Sequence, residues 1–155
     1  MHYQGLLYRA INPIRAREPL SDEDARLHGG RFNTKGVPAL YTALSVMTAI
    51  REAIQIGTLQ PTTLVSYEAD ISPIFDATDF DALSNYGMTP ADLAADDCRL
   101  RMRAEGKARI QILAERLIAY GFAGLRVPSF AKGATGKDLN VVLWVRGNAR
   151  SAKPP

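Results

Sequence analysis

The chain has 155 residues, of which 46% are hydrophobic and 23% are charged, and its formal net charge is +3. This length and balance are typical of one globular domain and argue against a disordered chain. The charge suits a phosphate-bearing ligand or an acidic partner, but it is too small to indicate nucleic acid by itself. The apolar runs fall short of the ~18 residues that cross a membrane.

The N-terminus and the cysteine content predict a cytoplasmic protein. The first ten residues, MHYQGLLYRA, lack the basic start and the apolar segment of a signal peptide. Cys98 is the single cysteine, so it cannot form a disulfide within the chain, which suits a reducing compartment. We therefore expect a cytoplasmic location without membrane association.

Composition and periodicity in the first half predict three strands and one capped helix. GLLYRA (5–10), PALYTA (38–43) and TTLVSYEADI (62–71) have the composition of strands, and a polar turn or short helix is expected between the first two. Ser45 can cap the helix after the second strand, and Gly57 is predicted to end it. The predicted buried stripe of this helix comprises Val46, Ala49, Ile50, Ala53 and Ile54.

The second half predicts one strong helix and two further strands. Residues 73–97 have frequent turn signals and weak periodicity, which indicates loops and short helices. A helix is expected over 107–120 with Gly121 as its stop. GLRVPS (124–129) and the apolar run LNVVLWVR (139–146) predict a strand and a central strand. Residues 147–155 are expected to form a flexible tail. Because strands and helices do not alternate regularly, the predicted class is α+β, with 1–155 as a single domain.

Arg31 is the first candidate for chemistry because it follows Gly29 and Gly30. Glycines allow the backbone to approach a ligand closely, and the arginine fork suits a phosphate. An isolated GGR is more often an ordinary loop. The sequence also lacks the G-x-G-x-x-G and GK[ST] patterns of the common nucleotide-binding loops.

Glu52 is the more informative candidate. It falls off the predicted apolar stripe, and the positions three and four residues away hold no basic residue that could pair with it. A carboxylate in a cleft can stabilise the positive charge that develops on a sugar during glycosidic cleavage. A simple solvated glutamate is the open alternative.

Tyr41 and Ser129 are less distinctive by themselves. A strand tyrosine is commonly a core residue, although its ring could stack on a ligand or its hydroxyl could orient a ribose. Ser129 follows Val-Pro, but a serine triad needs a histidine base and the histidines are only His2 and His28. One cysteine and two histidines also give no metal-ligand spacing. The basic residues between 99 and 109 are more typical of a solvated helix face than of a nucleic-acid surface.

Three stretches taken together resemble the RES-domain toxins of bacterial toxin–antitoxin pairs, a family named after an arginine, a glutamate and a serine. They are LLYRA, GGRFNTKGVPALYTALSVMTAIRE and VPS. The ordered resemblance runs from about residue 7 to residue 140. Phe32 stands where the family commonly has tryptophan, and Arg51 where an apolar residue is typical. The resemblance implies a compact ADP-ribosyltransferase-like domain with a mixed, split β core and flanking helices.

The resemblance also implies NAD⁺ as a consumed substrate, broken at its nicotinamide–ribose bond without a metal. On this correspondence Glu52, Arg31 and Tyr41 are the catalytic residues. The residues expected to bind NAD⁺ are Arg9, Arg31, Asn33, Tyr41 and Ser129.

The implied partners are a cognate antitoxin and an acceptor of ADP-ribose. The antitoxin is expected to carry a DNA-binding region and to block the NAD⁺ site. We favour transfer of ADP-ribose to a host protein, with phosphoribosyl pyrophosphate synthetase as the example the family offers, and consequent growth arrest. The alternatives are an NAD⁺ glycohydrolase or phosphorylase that depletes NAD⁺, and a non-enzymatic nucleotide or nucleic-acid binding module. Direct nucleic-acid binding by this chain is not expected.

Overall fold

The computed structural model describes residues 1–15, 17–18, 21, 23–54, 61–94, 107–144 and 152–153. Across these residues the chain forms seven strands, five α-helices and one short 3-10 helix, which confirms the α+β class. The strands are β1 (Tyr3–Ile11), β2 (Leu40–Ala43), β3 (Thr63–Ile71), β4 (Ile74–Asp76), β5 (Gly124–Pro128), β6 (Leu139–Leu143) and β7 (Ala152–Lys153). The helices are α1 (Glu23–His28), α2 (Val46–Ala53), α3 (Phe80–Ser84), α4 (Pro90–Leu93) and α5 (Arg109–Ala119), with the 3-10 helix at Pro13–Arg15.

The described strands form one mixed sheet in the order β4-β5-β6-β2-β1-β3-β7. β4 and β5 pair in parallel, and the other neighbours are antiparallel. β1 and β3 pair along their whole length, from Tyr3↔Ile71 to Ile11↔Thr63. β1 and β2, in contrast, share the single register pair Tyr8↔Ala43. The sheet is therefore nearly divided between β2 and β1, which is the split that the family resemblance implied.

Two apolar clusters pack on opposite faces of this sheet. Val142 belongs to the cluster that contains Phe32, Leu117 and Trp144, whereas its neighbour Val141 belongs to the cluster that contains Tyr67. Successive residues of a strand point to opposite faces, so β6 is buried on both sides. This confirms the prediction that the apolar run beginning at residue 139 forms an interior strand.

α2 differs from its prediction in the face that it buries. Ser45 caps it as expected, since the Ser45 hydroxyl accepts from the Thr48 N–H at 3.1 Å. The predicted stripe is wrong at Val46 and Ala53, which are exposed, whereas Thr48 and Ala49 are buried. The helix packs on β1 and β2. A threonine hydroxyl can be buried there because a distant carboxylate satisfies it, a contact that periodicity does not reveal.

The segment 73–94 contains the two short helices α3 and α4 and also β4, a strand that the sequence did not predict. β4 has three residues, too few to show an alternation, and it pairs with β5, about fifty residues further along the chain. α5 is confirmed over Arg109–Ala119, with Ile110, Leu113, Ala114 and Leu117 buried.

Several sequence expectations fall on residues outside the described ranges. These are Cys98, Gly57, the arginines at 99, 101 and 103, and most of the predicted tail 147–155. Within that tail Ala152 and Lys153 are described, and they pair with Ala69 and Glu68 of β3 rather than lying free. No helix in the described ranges is long and apolar enough to cross a membrane.

Candidate active site

A cavity of ≈ 440 Å³ opens beside the point where β1 and β2 diverge. Its walls come from β1, β2, β5, β6, α2 and the loop after α1. Four of the predicted site residues line it: Arg9, Arg31, Tyr41 and Glu52. Asn33 and Ser129 lie behind this lining, and Phe130 and Asn140 are lining residues that sequence reasoning missed.

Glu52 reaches the cavity from the last turn of α2. Its Oε1 accepts a hydrogen bond from Ser129 Oγ at 2.5 Å and one from Asn140 Nδ2 at 2.7 Å. The two donors lie 77 and 88 residues away in sequence. The sequence argument considered only the positions three and four residues from Glu52 along the helix, so it could not find these distant donors.

Asp138 ties α2 to the loop before β6. Its Oδ1 accepts from Thr48 Oγ1 at 2.7 Å and from Arg51 Nη1 at 2.6 Å, while its Oδ2 accepts from the Thr135 N–H at 2.8 Å. The Thr135 N–H, followed by the Thr48 hydroxyl and the Arg51 charge, lowers the pKa of the Asp138 carboxyl below its usual range despite partial burial. Arg51, which departs from the family pattern, is therefore one of the two α2 residues that bind this carboxylate.

Ser129 is 7% exposed and does not line the cavity. Its hydroxyl donates to Glu52 and accepts from the Ala131 N–H at 3.3 Å. Ser129 is therefore placed to orient the Glu52 side chain, and it is not placed in the lining where it would contact a ligand.

Arg31 also lines the cavity. Its Nη1 donates to the Leu93 carbonyl at 2.9 Å, and its guanidinium carbon lies 5.5 Å from the centroid of the Phe130 ring. These contacts orient the guanidinium beside the cavity. Arginine has five N–H donors, so the bond to Leu93 is compatible with a bound anion.

Hydrogen bonds from buried side chains fix the loop that carries Arg31, both before and after this residue. Gln111 of α5 is fully buried, and its Nε2 donates to the carbonyls of Gly30 at 2.8 Å and Asn33 at 3.0 Å. Trp144 Nε1 donates to the Phe32 carbonyl at 2.8 Å. Sequence reasoning missed Gln111; the available signal was an amide on the apolar face of a helix.

Tyr41 and Asn33 form one unit within this loop. The Tyr41 hydroxyl donates to Asn33 Oδ1 at 2.5 Å and accepts from the Phe32 N–H at 3.1 Å, while the residue lines the cavity. Asn33 is 1% exposed, and its Nδ2 donates to the carbonyls of Ala25 and Val37. A Cβ on Gly30 would lie 2.5 Å from the Tyr41 hydroxyl oxygen, so a glycine is required there. Asn33 thus shapes the loop from behind Tyr41.

Arg9 contributes a second guanidinium from β1. Its Nη1 donates to the Ser21 carbonyl at 3.1 Å. Burial raises the pKa of the Tyr67 phenol, and the charge of Arg9 and its hydrogen bond to Tyr67 oppose this only in part. With Arg9, the lining of the cavity contains two arginines and the Glu52 carboxylate.

The comparisons with known proteins identify the family and the fold of the chain. The RES domain family model matches residues 6–154, nearly the whole chain. The chain belongs to the RES domain family. A chain of the crystal structure of the M. tuberculosis MbcT–MbcA toxin–antitoxin complex is similar, with a TM-score of 0.76 and 21% identity over 100% of this chain and 83% of that chain. At this identity the likeness shows a shared fold. No curated protein sequence matches the chain.

Of the arginine, glutamate and serine that the family resemblance singled out, two line the cavity of this RES domain and the third lies behind its lining. Glu52 and Arg31 line the cavity, and Ser129 supports Glu52. Phe32, where tryptophan is common, is 4% exposed in the main apolar cluster, so its ring is a core residue.

Two remaining expectations concern metals and nucleic acid. No group of three His, Cys, Asp or Glu residues that could hold a metal ion occurs in the described ranges of this RES domain. Of the basic residues between 99 and 109, the two described side chains pair with acids: Lys107 with Glu115 and Arg109 with Asp92. This is the behaviour of a solvated helix face.

Proposed function

We propose that the protein is the toxin of a toxin–antitoxin pair that cleaves the nicotinamide–ribose bond of NAD⁺ and transfers ADP-ribose to a protein, arresting growth. One observation supports the proposal: the chain is a RES domain, and its cavity is lined by the Glu52 carboxylate and by the guanidinium groups of Arg31 and Arg9. A dinucleotide that has a negative pyrophosphate and a positively charged glycosidic centre matches these charges.

The chemistry requires little acid catalysis. As the C1′–N bond breaks, its electron pair returns to the pyridinium nitrogen, so nicotinamide leaves as a neutral molecule. The ribose gains oxocarbenium character, and a carboxylate beside it stabilises that charge. The acceptor then bonds to C1′ and loses its proton. Glu52 is the carboxylate in this role.

The arginines and aromatic rings would hold the rest of the dinucleotide. Arg31 and Arg9 suit the pyrophosphate, because a guanidinium can bind two phosphate oxygens at once. The rings of Tyr41 and Phe130 offer surfaces on which a base can stack. Such positioning lowers the entropy cost of reaching the transition state.

The first test is nicotinamide release from NAD⁺ by the purified chain. Wild type is expected to release nicotinamide, and Glu52→Gln, which keeps the shape but removes the charge, to be about 100-fold slower or more. Glu68→Gln is the matched control, because Glu68 is an exposed residue of β3 that does not line the cavity. The proposal fails if wild type releases none, with or without cell extract.

A second test separates protein transfer from NAD⁺ depletion. After induction in cells, protein mass spectrometry should find one ADP-ribose added to a host protein, with phosphoribosyl pyrophosphate synthetase as the first candidate. NAD⁺ loss without any modified protein would instead assign the chain to the glycohydrolase or phosphorylase class.

The proposed partner is an antitoxin with a DNA-binding region that covers the cavity. The similar fold was determined within a toxin–antitoxin complex. Co-expression with the neighbouring open reading frame should yield a complex on size-exclusion chromatography that releases no nicotinamide. Separate elution of the two proteins would refute the partner.

A further inference from the structure

Asn140 is a half-buried polar residue of the cavity lining whose neighbours in the sheet are apolar. It is the second residue of β6, between Ala43 of β2 and Val127 of β5 in register. Both partners are almost fully buried, as are Val141 and Val142, which follow it. A polar amide at such a place loses water, and hydrogen bonds must compensate for that loss.

The compensation is incomplete. Asn140 Nδ2 donates to Glu52 Oε1 at 2.7 Å. A carboxylate oxygen only accepts, so Glu52 determines which end of the amide faces it. The other end, Oδ1, is buried, and no donor reaches it from the described part of the chain. Buried polar atoms without a partner are uncommon, and each calls for an explanation.

The explanation lies at Glu52. A leucine has the same number and branching of side-chain heavy atoms as asparagine, with a larger volume, and it would occupy the position without leaving an orphaned acceptor. What the amide adds is one N–H aimed at the carboxylate, beside the hydroxyl of Ser129 on the same oxygen. We propose that Asn140 is a positioning residue that holds the Glu52 carboxylate in its working orientation. The catalytic part of this inference rests on the proposed function.

Neutral donors suit this task. A lysine or arginine in place of Asn140 would hold Glu52 but would also cancel the negative charge that the ribose cation needs. An amide and a hydroxyl orient the carboxylate and leave its charge in place. One donor comes from the segment after β5 and the other from β6, so the carboxylate is held by two separate parts of the backbone.

The test compares turnover with stability in Asn140→Leu. We expect kcat for nicotinamide release to fall about 10- to 100-fold, because a displaced carboxylate stabilises the transition state poorly. KM for NAD⁺ should stay within about threefold, since the ground state does not use this contact. Tm should be unchanged or raised because the orphaned acceptor is gone. Thr78→Val, which removes a hydroxyl bonded to Asp76 outside the cavity, is the control and should keep wild-type kcat.

A purely structural role gives the opposite pattern. It lowers Tm and leaves kcat per folded molecule within about twofold of wild type, and that result overturns the inference. Asn140→Asp is a second variant of almost identical shape. It should be slow at neutral pH, where two carboxylates repel, and should recover in part at acidic pH, where the introduced carboxyl is protonated and donates again.

A measurement without turnover separates this inference from the proposed function. The Asn140 side-chain NH₂ signals, assigned by their loss in Asn140→Leu, should shift in the ¹⁵N–¹H spectrum when Glu52→Gln is introduced. Unshifted signals overturn the inference even if NAD⁺ is cleaved. Shifted signals in a wild-type protein that releases no nicotinamide support the positioning contact and refute the NAD⁺ chemistry instead.

Discussion

Charged side chains of both signs line the cavity: Arg9, Arg31 and Glu52. Each of them has a defined hydrogen-bond partner. Glu52 accepts from Ser129 and Asn140, and the next residue towards the N-terminus, Arg51, turns to Asp138. Arg31, which also lines the cavity, is oriented by the Leu93 carbonyl and the Phe130 ring. A ligand would therefore meet groups whose orientations are already restricted, which reduces the entropy cost of binding.

Arg31→Lys tests whether the fork of the guanidinium is needed and not only its charge. We expect KM for NAD⁺ to rise about tenfold, equivalent to ~1.4 kcal/mol, because an ammonium cannot bind two phosphate oxygens in the same way. Steady-state kinetics measure this. Arg116→Lys is the control. Arg116 belongs to α5, its guanidinium lies over the ring of Tyr86, and it does not line the cavity. An unchanged KM would place the pyrophosphate elsewhere.

Tyr41→Phe separates the hydroxyl from the ring. The hydroxyl bonds to Asn33 and to the Phe32 N–H, so its removal should lower the free energy of unfolding by about 1–3 kcal/mol. Urea titration measures the loss, and KM for NAD⁺ should change little because the ring remains. A variant of wild-type stability that binds NAD⁺ poorly would show instead that the hydroxyl acts on the ligand.

At the scale of elements, α2 is held in place by hydrogen bonds to the segment 129–140. Three residues of that segment, Ser129, Asp138 and Asn140, bind α2 through side chains. The helix has eight residues, and a helix of that length is marginal alone in water. Its orientation therefore depends on these contacts.

The Asp138 contacts predict a pH dependence of stability. Because the folded-state pKa of Asp138 is depressed, its contribution is present above the unfolded pKa of ~3.9 and is lost as the pH falls through the lower folded value. The difference in unfolding free energy between wild type and Asp138→Asn should be constant from pH 7 to about pH 5 and should shrink below about pH 4. Denaturant titrations across pH measure it, with exposed Glu68→Gln as the control. A difference that stays constant at low pH would contradict this assignment.

Gln111 links α5 to the arginine loop. Gln111→Leu leaves the carbonyls of Gly30 and Asn33 and the N–H of Ala108 without this partner. We expect an unfolding free energy lower by about 1–3 kcal/mol. KM for NAD⁺ should also rise. Arg31 lies between Gly30 and Asn33 in sequence, so loss of these two bonds would loosen the loop that positions its guanidinium. Stability loss with an unchanged KM would mean that the loop keeps its shape without Gln111.

At the scale of the whole molecule, the cavity sits where the sheet is nearly divided. β1, β3 and β7 lie on one side of the single Tyr8↔Ala43 pair, and β2, β6, β5 and β4 lie on the other. Arg9 comes from the first group, whereas Tyr41 and Asn140 come from the second. A ligand in the cavity therefore contacts both halves of the sheet.

NAD⁺ should stabilise the whole fold for this reason. In Glu52→Gln, which is expected to bind NAD⁺ without cleaving it, NAD⁺ at 100 times its Kd should add about 2.7 kcal/mol to the unfolding free energy. Thermal unfolding across a ligand titration measures this. Nicotinamide alone serves as the control, because it lacks the pyrophosphate that Arg9 and Arg31 would bind. A Tm that does not respond to NAD⁺ would contradict binding in the cavity.

The sequence by itself determined the elements whose signals are local and the family of the chain. Ser45 capped α2, α5 formed within its predicted range and ended before Gly121, and the ordered motifs around Arg31 and Glu52 identified the RES domain. These signals lie within a few residues of one another, so hydrogen bonding and periodicity along the chain suffice to read them.

Only the tertiary structure decided which residues hold the site together. The donors to Glu52 lie 77 and 88 residues away, and the bonds from Gln111 to the arginine loop span 78 and 81. The burial of Thr48 and the pairing of β4 likewise depend on segments far along the chain. A polar side chain can be buried only where a partner satisfies it, and that partner is unknown until the chain has folded.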